Sequence, residues 1–389
     1  PSTNRKVRSS SLTIDEEFFP WHGTDAHQPL ASVTASARFI SDHLGADPQI
    51  GIDDSPSDFT SGSDINETPR PSLSFFNMFS GPYEREGGLS NAMRAFGWDS
   101  ITDFDNHRTL GGGWQDDLLN DSRYTEVLQQ ATSGAFDALM CAFPCTTTTV
   151  ARCFDASIDG GDPGPIQVRS AEYPDGIPGL PIKYKRELGR SNRLLDRTIE
   201  VLIAARRSPR RTTIVLEGPS DRSIPGTAQH MADVSHGSLF ATSQFKRLVA
   251  EIPNSSLATF ANCRFDASSQ KYITLWYTND AARVLDSLNG PEFQCNHPPG
   301  THKAVAGGRD AHGHWLSTDT ASYVRGLCAK ITMAFTFART GDPSPLSLRR
   351  KSRIPSSVPD AEHRADHEQP DLPSEATSRD ESIAERAEP

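Results

Sequence analysis

Between positions 73 and 337, short apolar runs alternate with stretches whose apolar residues recur at helical spacing. That alternation constrains the fold more than any other property of the chain. The strand-like runs cover residues 73–79, 100–105, 136–143, 211–217, 257–260 and 271–277. Helical spacing appears over 89–96, in Tyr124, Val127, Leu128 and Ala131, over 182–205 and 240–252, and in Val324, Leu327, Ile331 and Phe335. Apolar strands separated by amphipathic helices need cover on both faces of their sheet. The expected fold is therefore α/β, a doubly wound, Rossmann-like sheet with helices on both faces. One further short strand is expected to end near Gln115-Asp116-Asp117-Leu118-Leu119.

Charge and composition divide the chain into three parts. The formal charge of −11 is uneven: residues 1–70 contribute −6, residues 341–389 contribute −4, and the segment between them is close to neutral. The last 49 residues contain no Phe, Tyr or Trp, so they cannot bury enough apolar surface to offset the entropy of ordering. The expectation is a disordered or weakly structured acidic segment over 1–70, a domain over 71–340 and a disordered acidic tail over 341–389. A near-neutral domain leaves a nucleic-acid substrate open despite the acidic total. No apolar run approaches the ~18–20 residues that span a bilayer, so no membrane partner is expected. The six cysteines lack the dense spacing of a disulfide framework, which points to a reducing, intracellular compartment, nuclear or cytoplasmic, rather than secretion. Pro1, with neither Met nor a signal-peptide core, reads as a fragment or processing boundary. The oligomeric state stays open.

In doubly wound folds ligands bind outside the carboxyl ends of the strands, so the polar residues that follow each run are read together. After the first run come Phe79-Ser80-Gly81 and Gly87-Gly88, where glycine lets a backbone approach a ligand. After the second come Asp103 and Asp105, carboxylates suited to the hydroxyls of a ribose. The run over 136–143 leads into Pro144-Cys145, a cysteine held next to a rigid residue and a strong nucleophile once ionised. The run over 211–217 ends in Glu217-Gly218-Pro219-Ser220, which sets a carboxyl group near that cysteine.

Together these strand ends resemble the DNA cytosine-C5 methyltransferases, over about residues 73 to 337. Phe79-Ser80-Gly81 with Gly87-Gly88-Leu89 is similar to the cofactor-binding first motif of S-adenosylmethionine-dependent methyltransferases. Phe143-Pro144-Cys145 is similar to the Pro-Cys motif, and Leu216-Glu217-Gly218-Pro219 to the Glu-Asn motif. The likeness is greatest to the compact methyltransferase-like domains of algal and protist retroelement or phage-type proteins. The resemblance implies S-adenosyl-L-methionine as cofactor and DNA as substrate. It implies that Cys145 attacks C6 of a flipped-out cytosine and that Glu217 holds the base at N3 and the exocyclic amine. Asp105 or Asp103 would bind the cofactor ribose, Asp117 the adenine amine, and Gly81 and Gly88 the methionine end. The sequence departs from the family pattern at Phe143, which adds bulk beside the nucleophile, and at Gly218, which removes a side chain that would brace the catalytic loop. A second reading follows from those departures: a degenerate domain of a retroelement polyprotein that binds nucleic acid or cofactor without turnover.

Two other features carry chemistry. Cys295, His297 and His302, followed by His312 and His314, are residue types that bind Zn²⁺. The spacing is not that of a standard finger, and a rigid Pro-Pro-Gly loop is the preferred reading, so no metal ligand is assigned. With Lys303 and Arg309 this donor-rich loop could lie over nucleic acid. Arg206-Arg207-Ser208-Pro209-Arg210-Arg211 reads as a solvated helix-to-strand turn on the edge away from the cofactor.

Overall fold

The structure, a computed structural model, describes residues 72–81, 87–106, 112–154, 164–298, 300–302 and 323–346. The expectations for residues 1–70 and for 347–389, and those for Lys303, Arg309, His312 and His314, lie outside the described residues.

Six strands form one sheet: β1 (Ser74–Met78), β2 (Ser100–Phe104), β3 (Ala138–Ala142), β4 (Thr213–Pro219), β5 (Ser255–Ala261) and β6 (Tyr272–Thr278). Their order is β2-β1-β3-β4-β6-β5. β1 to β4 run parallel, and β6 lies antiparallel between β4 and β5. The helices are α1 (Leu89–Ala95), α2 (Asp121–Ser133), α3 (Ile182–Arg207), α4 (Ser243–Glu251), α5 (Ala282–Leu285) and α6 (Arg325–Thr340). Successive residues of a strand face opposite sides, and here both sides are apolar. Phe75, Met140, Val215 and Leu275 pack against α1, α5 and α6. Phe76, Leu139, Ile214, Leu216 and Trp276 pack against α2, α3 and α4. Each such side chain contributes on the order of 2 kcal/mol by leaving water, which is why the central strands read as unbroken apolar runs. The α/β expectation, with helices on both faces, holds.

Two boundaries differ from expectation. The short strand before Leu119 is absent among the described residues; Trp114–Asp116 forms a 3₁₀ turn instead. Local side-chain bonds compete with a ladder there: Asp117 Oδ1 accepts from the Leu119 amide at 2.8 Å, and the Asn120 side chain caps α2. The domain also runs past 340. Gly341, at φ +74°, turns the chain at the end of α6, and the Leu346 amide donates to Phe96 O at 2.9 Å.

The edge opposite the carboxyl ends is tied together by Asp137, the residue before β3. Its Oδ2 accepts from the Ser74 amide (2.9 Å), Ser74 Oγ (3.0 Å) and Arg210 Nη1 (2.7 Å), while its carbonyl accepts from Arg339 Nε of α6 at 2.8 Å. The arginine-rich turn lies at this edge. Arg206 and Arg207 pair with Asp280 and Glu251, so these side chains are spent on structure. Asp137→Ala removes the acceptor shared by the Ser74 amide, Ser74 Oγ and Arg210, leaves the Arg339 bonds to main-chain carbonyls, and should lower the unfolding free energy by about 1–3 kcal/mol. Arg207→Ala breaks a solvated pair and should cost less than about 1 kcal/mol. Urea denaturation of the two variants checks the contrast.

Candidate functional site

The chain enters the sheet at β1, passes to β2 on one side, and returns to β3 on the other. That reversal makes the carboxyl ends of β1 and β3 the topological switch point, where a crevice usually takes the ligand in such sheets. Phe79–Gly81 follows β1 and Pro144-Cys145 follows β3, so both predicted motifs flank that point.

After β1 the backbone turns sharply. Phe79 has φ +58° and Gly81 φ +70°. For a bulky residue that conformation costs on the order of 1–3 kcal/mol. It is held by the amides of Phe79 and Ser80, which both donate to Phe104 O, at 2.7 and 3.3 Å. The Phe79 ring packs edge-on against Phe143, with centroids 5.8 Å apart. The Gly81 amide donates to Asp105 Oδ2 at 3.0 Å, so the ends of β1 and β2 are joined through a buried carboxyl group. Asp103 is placed differently. Its Oδ1 accepts from Asn77 Nδ2 at 2.9 Å and from Ser90 Oγ, which fastens β2 to β1 and α1. Of the two predicted acids, Asp105 stands at the strand end. Gly87, at φ +70°, and Gly88 lead into α1, and a Cβ at Gly87 would lie 2.8 Å from Arg325 Nε. Asp117 binds the Leu119 amide and faces Arg190 of α3 at 3.6 Å.

Cys145 begins a 3₁₀ turn after Pro144, and its carbonyl accepts from the Thr148 amide at 2.9 Å. Two arginines fix the loop that follows. Arg152 donates through Nε to Thr146 O, at 2.5 Å, and pairs with Glu187. Buried Arg169 donates to Thr147 Oγ1 at 3.2 Å, Pro174 O at 2.7 Å and Asn192 Oδ1 at 2.5 Å. Burial pushes the Cys145 thiol above its usual range. Lys271 opposes that shift and Glu217 reinforces it. At neutral pH the thiol is therefore protonated at rest.

Glu217 pairs in register with Ala142, which brings it to the neighbouring strand end. It is buried, with Lys271 Nζ 3.8 Å from its Oε1 and Tyr323 OH donating to its Oε2 at 3.3 Å. Burial, with Glu217 next, raises the Tyr323 phenol well above its normal range, so it remains a donor. Glu217 Oε1 has no hydrogen-bond partner among the described residues, and neither has the buried Oγ of Ser220 nor the buried Oδ1 of Asn262. The Ser220 amide donates to Tyr272 O, and the Asn262 amide to Lys271 O, so all three atoms belong to strand ends that meet at the start of β6. Lys271 and Tyr323 were missed by sequence reasoning. The one signal available was the lysine that opens the strand-like run 271–277.

The departures at Phe143 and Gly218 have structural reasons. The Phe143 ring is buried in the core on the α2–α4 face. A Cβ at Gly218 would come within 2.9 Å of Leu239 and 3.2 Å of Phe240, which fill the space an asparagine would need. Bracing comes instead from buried His236, whose Nδ1 accepts from the Arg222 amide at 3.3 Å. Its Nε2–H therefore donates to Thr148 O at 2.8 Å, linking the loops after β3 and β4.

Comparison with protein-family models and with curated proteins finds no match to this chain.

Gly218→Asn should destabilise the domain by about 1–3 kcal/mol through overpacking, read as a lowered urea midpoint. A second expectation concerns pH. Burial holds the His236 pKa below its usual 6.5, against the raising effects of Thr148 O and Asp221 and with a lowering one from Arg222. Between the folded and unfolded pKa values the unfolded chain binds the extra proton, so stability rises with pH there. It should be level above about pH 7 and fall as pH drops below 6.5. In His236→Gln the His236 share of that slope should vanish, as measured by denaturation across the range.

Proposed function

We propose that the domain transfers a methyl group from S-adenosyl-L-methionine to DNA, with C5 of cytosine as the target. The observation that carries this reading is Cys145 and Glu217 at the carboxyl ends of neighbouring strands, with one buried oxygen of Glu217 accepting no hydrogen bond among the described residues and Lys271 standing 3.8 Å away. A base swung out of the duplex supplies what that oxygen lacks, an N–H donor. Sγ of Cys145 would add to C6 as the thiol loses its proton. Lys271 favours that ionisation and Glu217 disfavours it, so the pair tunes the nucleophile.

The residues after β1 and β2 fit the cofactor in their donor chemistry. Gly81 keeps the backbone open at a positive φ, and a buried acid from the adjacent strand stands beside its amide. The cofactor supplies an electrophilic methyl group when bound. Phe79, Ser80, Gly81, Gly87, Gly88 and Pro144 would line its site, with Asp105 at the ribose and Asp117 at the adenine amine. Asp103 fits less well, since it lies within β2 with Oδ1 holding Asn77 and Ser90, whereas Asp105 follows the end of the strand. One observation favours the second reading, a domain that binds without turnover: Leu239 and Phe240 fill the space beside Gly218 that the family's asparagine would need.

Methyl incorporation into a cytosine-rich duplex by the full chain tests the proposal. Cys145→Ser should abolish it, and Glu217→Gln should lower the rate by about 100-fold. Asp105→Ala should weaken cofactor binding in a calorimetric titration. Undiminished incorporation by Cys145→Ser would remove the nucleophile, whereas cofactor binding without incorporation by the unaltered chain would favour the second reading.

A further inference from the structure

Away from Cys145, the structure gathers Cys263, Cys295, His297 and His302 so that one ligand atom of each lies within 4.8 Å of the others. Cys295 Sγ is 3.6 Å from His297 Nδ1 and 3.1 Å from His302 Nε2. Around a tetrahedral Zn²⁺, with Zn–S about 2.3 Å and Zn–N about 2.0 Å, sulfur and nitrogen ligands sit roughly 3.5 Å apart. The two histidine rings are 4.9 Å apart and nearly perpendicular, at 87°, so they do not stack.

We propose that Cys263, Cys295, His297 and His302 bind one Zn²⁺ ion in a closed, structural four-ligand site. Two thiolates and two neutral imidazoles neutralise the ion and leave no open position. The backbone is arranged for it. Cys263 lies in the 3₁₀ turn Asn262–Phe265, directly after β5. Cys295 lies 32 positions later, beyond β6, α5 and three 3₁₀ turns. Its amide donates at 3.2 Å to the Tyr272 hydroxyl, whose ring packs with Cys263. The return from His297 to His302 is made by a turn in which the Thr301 amide donates to Pro298 O at 3.2 Å, with Gly300 at φ +83°. On binding, the thiol protons of Cys263 and Cys295 pass to solvent. The ion would pin residues 295–302 to the end of β5.

The test is metal analysis of the full chain purified under reducing conditions without chelator. One zinc per chain is expected, lost in Cys295→Ala and in His302→Ala and retained in Cys153→Ser. Because a ligand variant can misfold, the unaltered chain is also stripped and reloaded with Co²⁺. A tetrahedral visible spectrum with a thiolate-to-cobalt charge-transfer band is the expected result. A chain that carries no zinc and gives no such spectrum overturns the proposal, as does zinc retained in full by both ligand variants.

Discussion

A carboxyl group on a central strand must find donors, because leaving a charge unpaired in the interior costs several kcal/mol. Glu217 is such a group: every residue of β4 is buried, and Glu217 lies near its carboxyl end, in register with the last residue of β3. Its two neighbours come from elements far apart in the chain, Lys271 before β6 and Tyr323 before α6. Meeting this requirement draws the start of β6 and the approach to α6 towards the end of β4. The antiparallel insertion of β6 makes it possible, since only a reversed strand begins at the edge where its parallel neighbours end. The same cluster stops short of saturating Glu217, and the orphaned oxygen is what gives the edge chemical interest.

Rigidity at the nucleophile has a separate origin. Buried arginines are expensive unless every donor is used, and Arg152 and Arg169 between them bind three carbonyls, a hydroxyl, an amide oxygen and a carboxylate. Those bonds converge on residues 146–147 and on α3, so the loop carrying Cys145 is fastened from beneath. His236 fastens it from the side of β4. Where the cytosine methyltransferases would have an asparagine beside the glutamate, this chain has Gly218, and Leu239 and Phe240 occupy the space while a histidine three residues earlier on their segment does the bracing.

The fold was legible because its signal is local: unbroken apolar runs and helical spacing reveal a sheet covered on both faces. The strand-end motifs were legible for the same reason, each lying within a few residues of a run. Contacts between distant segments were not. Nothing near Lys271 or Tyr323 marks them as partners of Glu217, since both meet it only through strand order. The choice between Asp103 and Asp105 turned on one strand boundary, which periodicity cannot fix: residues two apart share a face, and only the end of β2 at Phe104 separates them. With Cys295, His297 and His302 the sequence offered one cysteine and two histidines, grouped with His312 and His314 and read as a rigid loop with no metal ligand assigned. Cys263 joins them because β5 and β6 pair in register and bring their ends together.

The start of β6 links the two clusters. Lys271 reaches Glu217, and the next residue, Tyr272, holds the Cys295 amide through its hydroxyl and the Ser220 amide through its carbonyl. Arg222 covers the Tyr272 ring, 5.3 Å from its centroid, and its own amide donates to His236. A continuous set of bonds therefore runs from the Cys295 loop through Tyr272 to both sides of the Cys145–Glu217 edge. An ion at the cysteine–histidine cluster would act on that edge mechanically, by fixing where β6 begins and so how far Lys271 stands from Glu217. It would contribute no chemistry of its own there, because four protein ligands leave the metal no position for substrate.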